Sequence, residues 1–150
     1  MRKILLTLVL TLLAPQVAHA WWNGDWTARK KIALDTTASG VALKQEVAMP
    51  TLLVRLHTGN FAFDTAKVDG GDLRFLAEDD KTPLKYHIEK FDSVAQIALV
   101  WVQVPKLQPG SKEQHVWLYY GNENAVPADD AKGSFDPNQI GAWHFSEAQG

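Results

Sequence analysis

The chain contains no cysteine in its 150 residues. This absence excludes disulfide bonds and every metal or nucleophile site that needs a thiolate, so burial and hydrogen bonding have to hold the fold. An excess of positive charge is also missing, because 15 lysine and arginine residues stand against 17 aspartate and glutamate residues. No basic cluster is long enough to follow a nucleic acid backbone. We therefore expect no nucleic acid partner.

Clustered metal-binding and nucleophilic residues are missing as well. The histidines lie far apart in the sequence, at His19, His57, His87, His115 and His144. None of them has the short histidine spacing of a zinc site, and no G-x-S-x-G sequence marks a serine nucleophile. His87 and His115 fall on the polar phase of alternating segments, which predicts side chains in contact with solvent.

The acidic residues give no clearer sign of catalysis. Four aspartates lie close together in the sequence: Asp69, Asp72, Asp79 and Asp80. They do not match a calcium-binding loop, and aspartates beside glycines are ordinary turn formers. Glycoside hydrolysis stays open in principle because paired carboxylates meet in space, but neither Glu46 nor Glu89 lies in a glycosidase-like motif. We expect no metal, no cofactor and no enzymatic activity.

The first 20 residues have the composition of an export signal. Arg2 and Lys3 precede an apolar stretch at 4–14, and Ala18-His19-Ala20 fits a signal peptidase site. An apolar stretch of about 11 residues is too short for a membrane span, which needs about 20. The sequence predicts cleavage after Ala20, a mature chain that begins at Trp21, and a periplasmic location, which also suits a chain without cysteine.

Past the signal, apolar and polar residues alternate with period two between turn sequences, which predicts β-strands. Strands are predicted at 28–35, 43–48, 51–57, 72–78, 84–89, 97–104 and 115–120. The spacing predicts an all-β fold, an antiparallel β-sandwich of the jelly-roll type spanning residues 21–124. The segment 97–104 is apolar on both faces, so we expect a central covered strand with Trp101 in the core. The tract 78–83 is predicted to connect a hairpin.

Two further features bear on domain organisation. Residues 63–67 predict one helical turn that Asp64 would cap. Residues 125–140 are polar and rich in turn formers, which predicts a linker, and the apolar residues in 141–150 predict the start of a second, truncated domain. A C-terminal strand that joins the same sheet remains the alternative.

Aromatic residues are the best candidates for binding. Trp21, Trp22 and Trp26 cluster at the predicted mature N-terminus, and exposed indole rings offer flat faces for sugar rings. Together with Tyr119, on the last predicted strand, they form the predicted ligand-binding set. The alternative is that Trp22 and Trp26 pack across the sandwich and anchor its first strand.

Several short motifs together resemble one bacterial family. They are Asp25–Ile32, Val54–Leu56, Asp72–Phe75, Leu84–Glu89, Val100–Pro105 and Tyr119–Asn122. The ordered set is similar to an exported domain of unknown function at the N-terminus of MotA/TolQ/ExbB proton-channel family proteins. The segment Ala142–Glu147 resembles the first strand of a concanavalin or laminin-G-like domain, which often follows.

The resemblance implies a non-catalytic periplasmic module for interaction or sensing. Its partners would be envelope proteins or glycan, with a channel region on the same full-length chain anchored in the inner membrane. A carbohydrate- or peptidoglycan-binding module is the alternative function, favoured if Trp21, Trp22 and Tyr119 line one exposed face.

Overall fold

The computed structural model describes residues 21–135. The predicted signal peptide, the predicted start of a second domain and the end of the predicted linker lie outside the described residues. Among the residues described, no helix is long and apolar enough to span a membrane.

The described chain forms eight strands. They are β1 (Ala28–Ala33), β2 (Val47–Ala48), β3 (Thr51–His57), β4 (Arg74–Leu76), β5 (Tyr86–Asp92), β6 (Ile97–Gln103), β7 (Lys106–Leu107) and β8 (His115–Tyr120). All of their pairings are antiparallel, in sheets ordered β1-β8-β4, β3-β6-β5 and β2-β7. The all-β sandwich is confirmed. The short strand β7 had not been predicted, because two residues carry no measurable alternation.

The core lies between the two three-stranded sheets. Alternate residues of the central strands point into it, such as Val100 and Val102 of β6 and Leu118 of β8, which have no exposed surface. Aromatic rings fill one end, where Phe61 lies 4.5 Å from Tyr120 between ring centres. This inward set follows the period-two pattern that predicted the strands.

The prediction that Trp101 lies in the core is wrong. Trp101 is half-buried on the outer face of β6, opposite the phase of Val100 and Val102, and its ring lies 6.3 Å from that of Phe135. A loop segment covers this face instead of a second sheet. An apolar strand pattern shows that both faces are covered, but it does not distinguish a sheet from a loop as the cover.

One side of the sandwich is closed by the chain between β4 and β5. The Leu84 N–H donates to the Phe75 carbonyl at 2.8 Å, so the start of this connection has the hydrogen bonding of the predicted hairpin. β4 then pairs with β8 and β5 pairs with β6, so the connection crosses from one sheet to the other. Hydrogen bonds from Thr82 stabilise the turn and lower the pKa of Asp79.

The described part of the predicted linker packs against the sandwich. The Asp130 N–H donates to the Tyr86 carbonyl at 2.7 Å, and the Thr51 hydroxyl donates to the Ser134 carbonyl at 2.6 Å. Ser134 has no exposed surface. Residues 125–135 therefore cross the outer face of the β3-β6-β5 sheet from one edge to the other.

The predicted helical turn at 63–67 forms as a hydrogen-bonded turn without a helix. The Thr65 N–H donates to the Ala62 carbonyl at 3.2 Å, and no further helical bond follows within the segment. Phe61 and Phe63 are buried in the core on this segment, so packing of their rings determines its path.

Candidate functional site

The N-terminal segment lies across the outer face of the β1-β8-β4 sheet. Trp22 contacts Trp26, with ring centres 5.1 Å apart, and Tyr119, at 5.9 Å. Trp21 meets the edge of the Tyr119 ring at 5.8 Å. The structure therefore brings all four predicted binding residues together. Trp22, Trp26 and Tyr119 belong to a second, smaller apolar cluster, and Trp21 contacts it through Tyr119.

Two of these four residues are buried. Trp26 is 7% exposed and its indole N–H donates to the Asp72 carbonyl at 2.7 Å. Tyr119 has no exposed surface, and its hydroxyl donates to the Asp80 carboxylate at 2.7 Å. The packing of Trp26 anchors the segment that leads into β1, as the alternative interpretation expected. Trp21, at 39% exposed, presents the accessible ring of the set.

Arg29 connects the cluster to the closed side of the sandwich. Its guanidinium lies 4.4 Å from the centre of the Trp117 ring and 5.4 Å from that of Trp21. It also forms an ion pair with Asp80 at 2.6 Å, with both side chains about four-fifths buried. The ion pair holds the guanidinium in place, and the guanidinium in turn holds the Trp21 ring through the cation–π contact.

Asp72 has a structural role that its position in a turn sequence did not reveal. Its carboxylate accepts main-chain hydrogen bonds from Lys67 at 3.0 Å, Gly121 at 2.6 Å and Asn122 at 3.2 Å. The side chain has no exposed surface, so these bonds satisfy a buried anion. The carboxylate joins the start of β4 to the end of β8.

The two strand histidines are less exposed than predicted, so that prediction is wrong. The His115 side chain is 12% exposed and its ring meets Trp117 at 5.4 Å between ring centres. The His87 side chain is 17% exposed and lies 3.6 Å from the Asp129 carboxylate. Both sit on outer faces that loops and neighbouring rings cover. Within residues 21–135 no three histidine, aspartate or glutamate side chains are grouped closely enough to hold a metal ion.

A groove opens on the side of the sandwich opposite the β4–β5 connection. It runs between β1 and β3, each of which is an edge strand with one paired neighbour among residues 21–135. The groove has a volume of about 420 Å³ and reaches the buried side chains Val102 and Val116. Its walls are mostly aliphatic residues of the two edge strands, such as Ile32, Leu52 and Val54.

Three cations border this groove. Lys30 lies on β1 in the inward phase that Ala28 and Ile32 share, and Lys31 and Arg55 are exposed beside it. Across residues 21–135, none of the three has a carboxylate within ion-pair distance. The groove thus combines an apolar floor with an unneutralised positive border.

The comparison with known families bears on this architecture. A model of a family described as a domain of unknown function, DUF2341, matches residues 69–145. This match covers just over half of the chain. The chain belongs to the DUF2341 family.

The DUF2341 match confirms that the chain carries a domain of unknown function, as the resemblance implied. It includes β4 to β8 and continues beyond the last described residue, whereas β1 and β3 lie outside it. Searches of curated proteins and of solved structures each found no significant match.

The groove of this DUF2341 protein escaped the sequence analysis. Most of the residues that line it lie in predicted strands that the structure confirms, but alternation along one strand does not show which strands form the edges of a sheet. One signal was present: Lys30 interrupts the apolar phase of β1, where a strand covered on that face would carry an aliphatic residue.

Proposed function

We propose that this DUF2341 domain is a non-catalytic interaction module of an exported, periplasmic protein. The observation that carries the proposal is the groove between β1 and β3. Unpaired strand edges expose rows of main-chain donors and acceptors, and folded proteins commonly use such edges to bind other chains. A groove of about 420 Å³ also lies within the usual size range of binding sites.

The polar groups that the fold buries support a binding role. Asp72 and Asp80 are engaged in hydrogen bonds and an ion pair that hold strands and loops in place. Tyr119 and Trp26 likewise direct their polar atoms to partners within the domain. These groups keep the sandwich rigid, which suits a surface that binds without rearranging.

The proposed context is a MotA/TolQ/ExbB-type proton-channel complex of the cell envelope. Support comes from the signal-like residues 1–20 and from the family motifs in β1, β4, β6 and β8. In this proposal a concanavalin or laminin-G-like domain follows residue 140, and the full-length chain is anchored in the inner membrane. The DUF2341 domain then binds or senses envelope partners outside that membrane.

Site-specific photo-crosslinking in living cells tests this role. A photoreactive residue at Leu53, which lies on β3 and is 48% exposed, is expected to capture an envelope protein. The same residue at Val94, which is 94% exposed in the loop between β5 and β6, is the matched control. Equal labelling from both positions, or none from Leu53, would contradict the proposed binding surface.

Carbohydrate binding is a second candidate. Tyr119 is buried and does not line an exposed face with Trp21 and Trp22, as this alternative expected, but the position of Trp21 favours it. Its partly exposed ring is held over Arg29, as a platform for a sugar ring would be. In this case Trp21→Ala should abolish sedimentation of the protein with insoluble peptidoglycan, while Val94→Ala should not. Cleavage of that glycan by the purified chain, lost on changing one carboxylate, would instead reveal an enzyme.

A further inference from the structure

We propose that the groove binds an extended, acidic peptide segment of a partner, which adds as a strand to the edge of β3. The inference rests on the proposed interaction function and specifies the chemistry of the partner. Three independent features of the open side support it: main-chain groups, apolar side chains and charge.

Every second residue of β3 directs its main-chain N–H and carbonyl away from β6. The His57 N–H donates to the Asn60 side chain at 2.8 Å, and the Asn60 amide donates to the Arg55 carbonyl at 3.1 Å. These bonds show that the odd-numbered residues of β3 face away from β6, because strand residues alternate in hydrogen-bonding direction. Asn60 therefore caps one end of the edge.

The same alternation leaves the edge at Leu53 unpaired. Its N–H and carbonyl point away from β6, and no hydrogen bond to them occurs within residues 21–135. The stretch from Thr51 to Arg55 is about 17 Å long at about 3.4 Å per residue, the length of an ordinary strand. An added strand would have room to pair along it.

The opposite edge of the same sheet, formed by β5, is blocked against pairing with another strand. β5 carries a bulge between Ile88 and Lys90, and the Asp130 N–H already occupies the Tyr86 carbonyl. Bulges, charges and covering loops are the usual means of blocking an edge. The stretch 51–55 pairs with β6 without a bulge, and the leucine at its centre, Leu53, is 48% exposed among the residues that the structure describes.

The apolar side chains fit alternate residues of an added strand. Leu52, Val54 and Leu56 of β3 face Ile32 of β1, and Leu34 just after it, across the groove. A strand that pairs with β3 would direct every second side chain into this space. Partners with apolar residues at every second position would fill the groove and bury the exposed part of its walls.

The charge selects an acidic partner. Lys30 faces the apolar groove in the inward phase, and Lys31 and Arg55 border it without an ion-pair partner in the described chain. A carboxylate placed between apolar side chains of the partner would neutralise Lys30 in partly desolvated surroundings, where charge pairing has more effect than in water.

Selection from displayed random peptides tests the inference with the full exported chain as bait. Peptides of about 12 residues are long enough to contain one strand. The expected outcome is enrichment of sequences in which apolar residues alternate with polar ones and at least one Asp or Glu is present. Failure to enrich any peptide, or enrichment of basic ones, would overturn the inference.

Affinities of a selected synthetic peptide for variants then locate its binding mode. Lys30→Glu should weaken binding at least about tenfold, whereas Lys81→Glu, the same charge change in the β4–β5 turn, should leave it unchanged. Leu53→Pro removes the outward N–H of an edge strand, a position where proline is tolerated, and should also abolish binding. Leu53→Thr keeps that N–H and should bind nearly as the natural chain does. A melting curve for each variant shows that it is folded.

Other outcomes assign the groove to a different occupant. Tight binding of palmitate that Lys30→Glu abolishes and Leu53→Pro does not affect would identify a fatty acid site and overturn the peptide inference. Dimerisation of the chain in sedimentation experiments, lost in Leu53→Pro, would assign the edge to a second copy. A crosslink from Leu53 in cells without any selected peptide would overturn this inference and leave the proposed interaction function standing.

Discussion

The two sides of this sandwich are built in opposite ways. On one side, the connection between β4 and β5 crosses from sheet to sheet, and the Leu84 N–H bonds the Phe75 carbonyl as it does so. On the other side, β1 and β3 are edge strands that do not pair with each other, and a groove of about 420 Å³ remains between them. The difference teaches that stability and accessibility are separated in this domain: one side holds the sheets together while the other stays available.

The outer faces follow the same division. The N-terminal aromatic cluster, Asp72 and the Arg29–Asp80 pair gather over the sheet that contains β4. Lys30, Lys31 and Arg55 gather at the open side and contribute no ion pair to the described part of the chain. We therefore expect substitutions to affect folding on the first side and binding on the second.

The largest loss of stability is expected for Asp72→Ala. The change leaves the main-chain N–H groups of Lys67, Gly121 and Asn122 without an acceptor in a buried place. A loss of about 3–5 kcal/mol in the free energy of unfolding is expected from such unsatisfied groups. Chemical denaturation measures it, with the exposed Asp69→Ala as the control. Equal losses in both variants would show that Asp72 is a turn residue only.

Truncation of two aromatic residues compares the inner and the outer face of the sandwich. Phe75→Ala removes a ring that is 1% exposed and should cost about 3–4 kcal/mol. Trp101→Ala removes a half-buried ring from the outer face and should cost about 1–2 kcal/mol. Chemical denaturation of the two variants measures both losses. A larger loss for Trp101→Ala would show that the outer face of β6, and not the inner face, packs the principal core.

A smaller loss is expected for Arg29→Ala. It removes the ion pair with Asp80 and the contact with Trp117, which together are worth about 1 kcal/mol at this degree of burial. Lys31→Ala, the neighbouring cation at the open side, is the matched control and should change stability by less than about 0.5 kcal/mol. If the two variants melt alike, the ion pair and ring contact of Arg29 do not stabilise the closed side.

Alkaline pH should destabilise the domain through its buried phenols. Burial raises the pKa of Tyr86, and burial likewise raises that of Tyr120. Because each phenol ionises more easily in the unfolded chain, its contribution is fully present below pH 10, the unperturbed value, and is lost as the pH rises through the folded pKa. Melting temperatures measured across this range should fall less steeply in Tyr86→Phe. An unchanged slope in that variant would assign the alkaline loss to other groups.

The smallest effect on folding is expected for Lys30→Leu. An ammonium group in the inward phase beside Ile32 gains nothing from an ion pair within the described residues, so an aliphatic side chain should leave stability unchanged or raise it by up to about 1 kcal/mol. Denaturation melts measure the change. A loss of more than about 1 kcal/mol would show that Lys30 supports the fold and would remove the contrast between the two sides.

Much of the secondary structure was predictable because strand periodicity is local. The strands at 51–57 and 115–120 have the predicted bounds, and those of β6 differ by one residue at one end. The exposed fractions of the Trp101 and His115 side chains could not be predicted from this periodicity. Each residue's exposure depends on whether a loop crosses that face, and loop paths depend on contacts distant in sequence.

The candidate site also combines features that the sequence predicts with features that depend on the tertiary structure. The clustering of Trp21, Trp22 and Trp26 was visible in the sequence because they are neighbours in the chain. The burial of Tyr119 was not visible, because its outward phase on β8 is the same as that of a solvent-exposed residue. Only the return of the N-terminal segment over that face buries its ring.

The sequence by itself determined the fold class and the absence of thiol chemistry, because both follow from composition and from period-two alternation along short segments. The tertiary structure decided which strands became edges, which side closed and where Lys30 lies relative to the apolar groove. Sheet order depends on pairings between strands far apart in the chain, such as β1 with β8, and no local pattern encodes them. The groove, and with it the proposed binding function, therefore appears only in the folded protein.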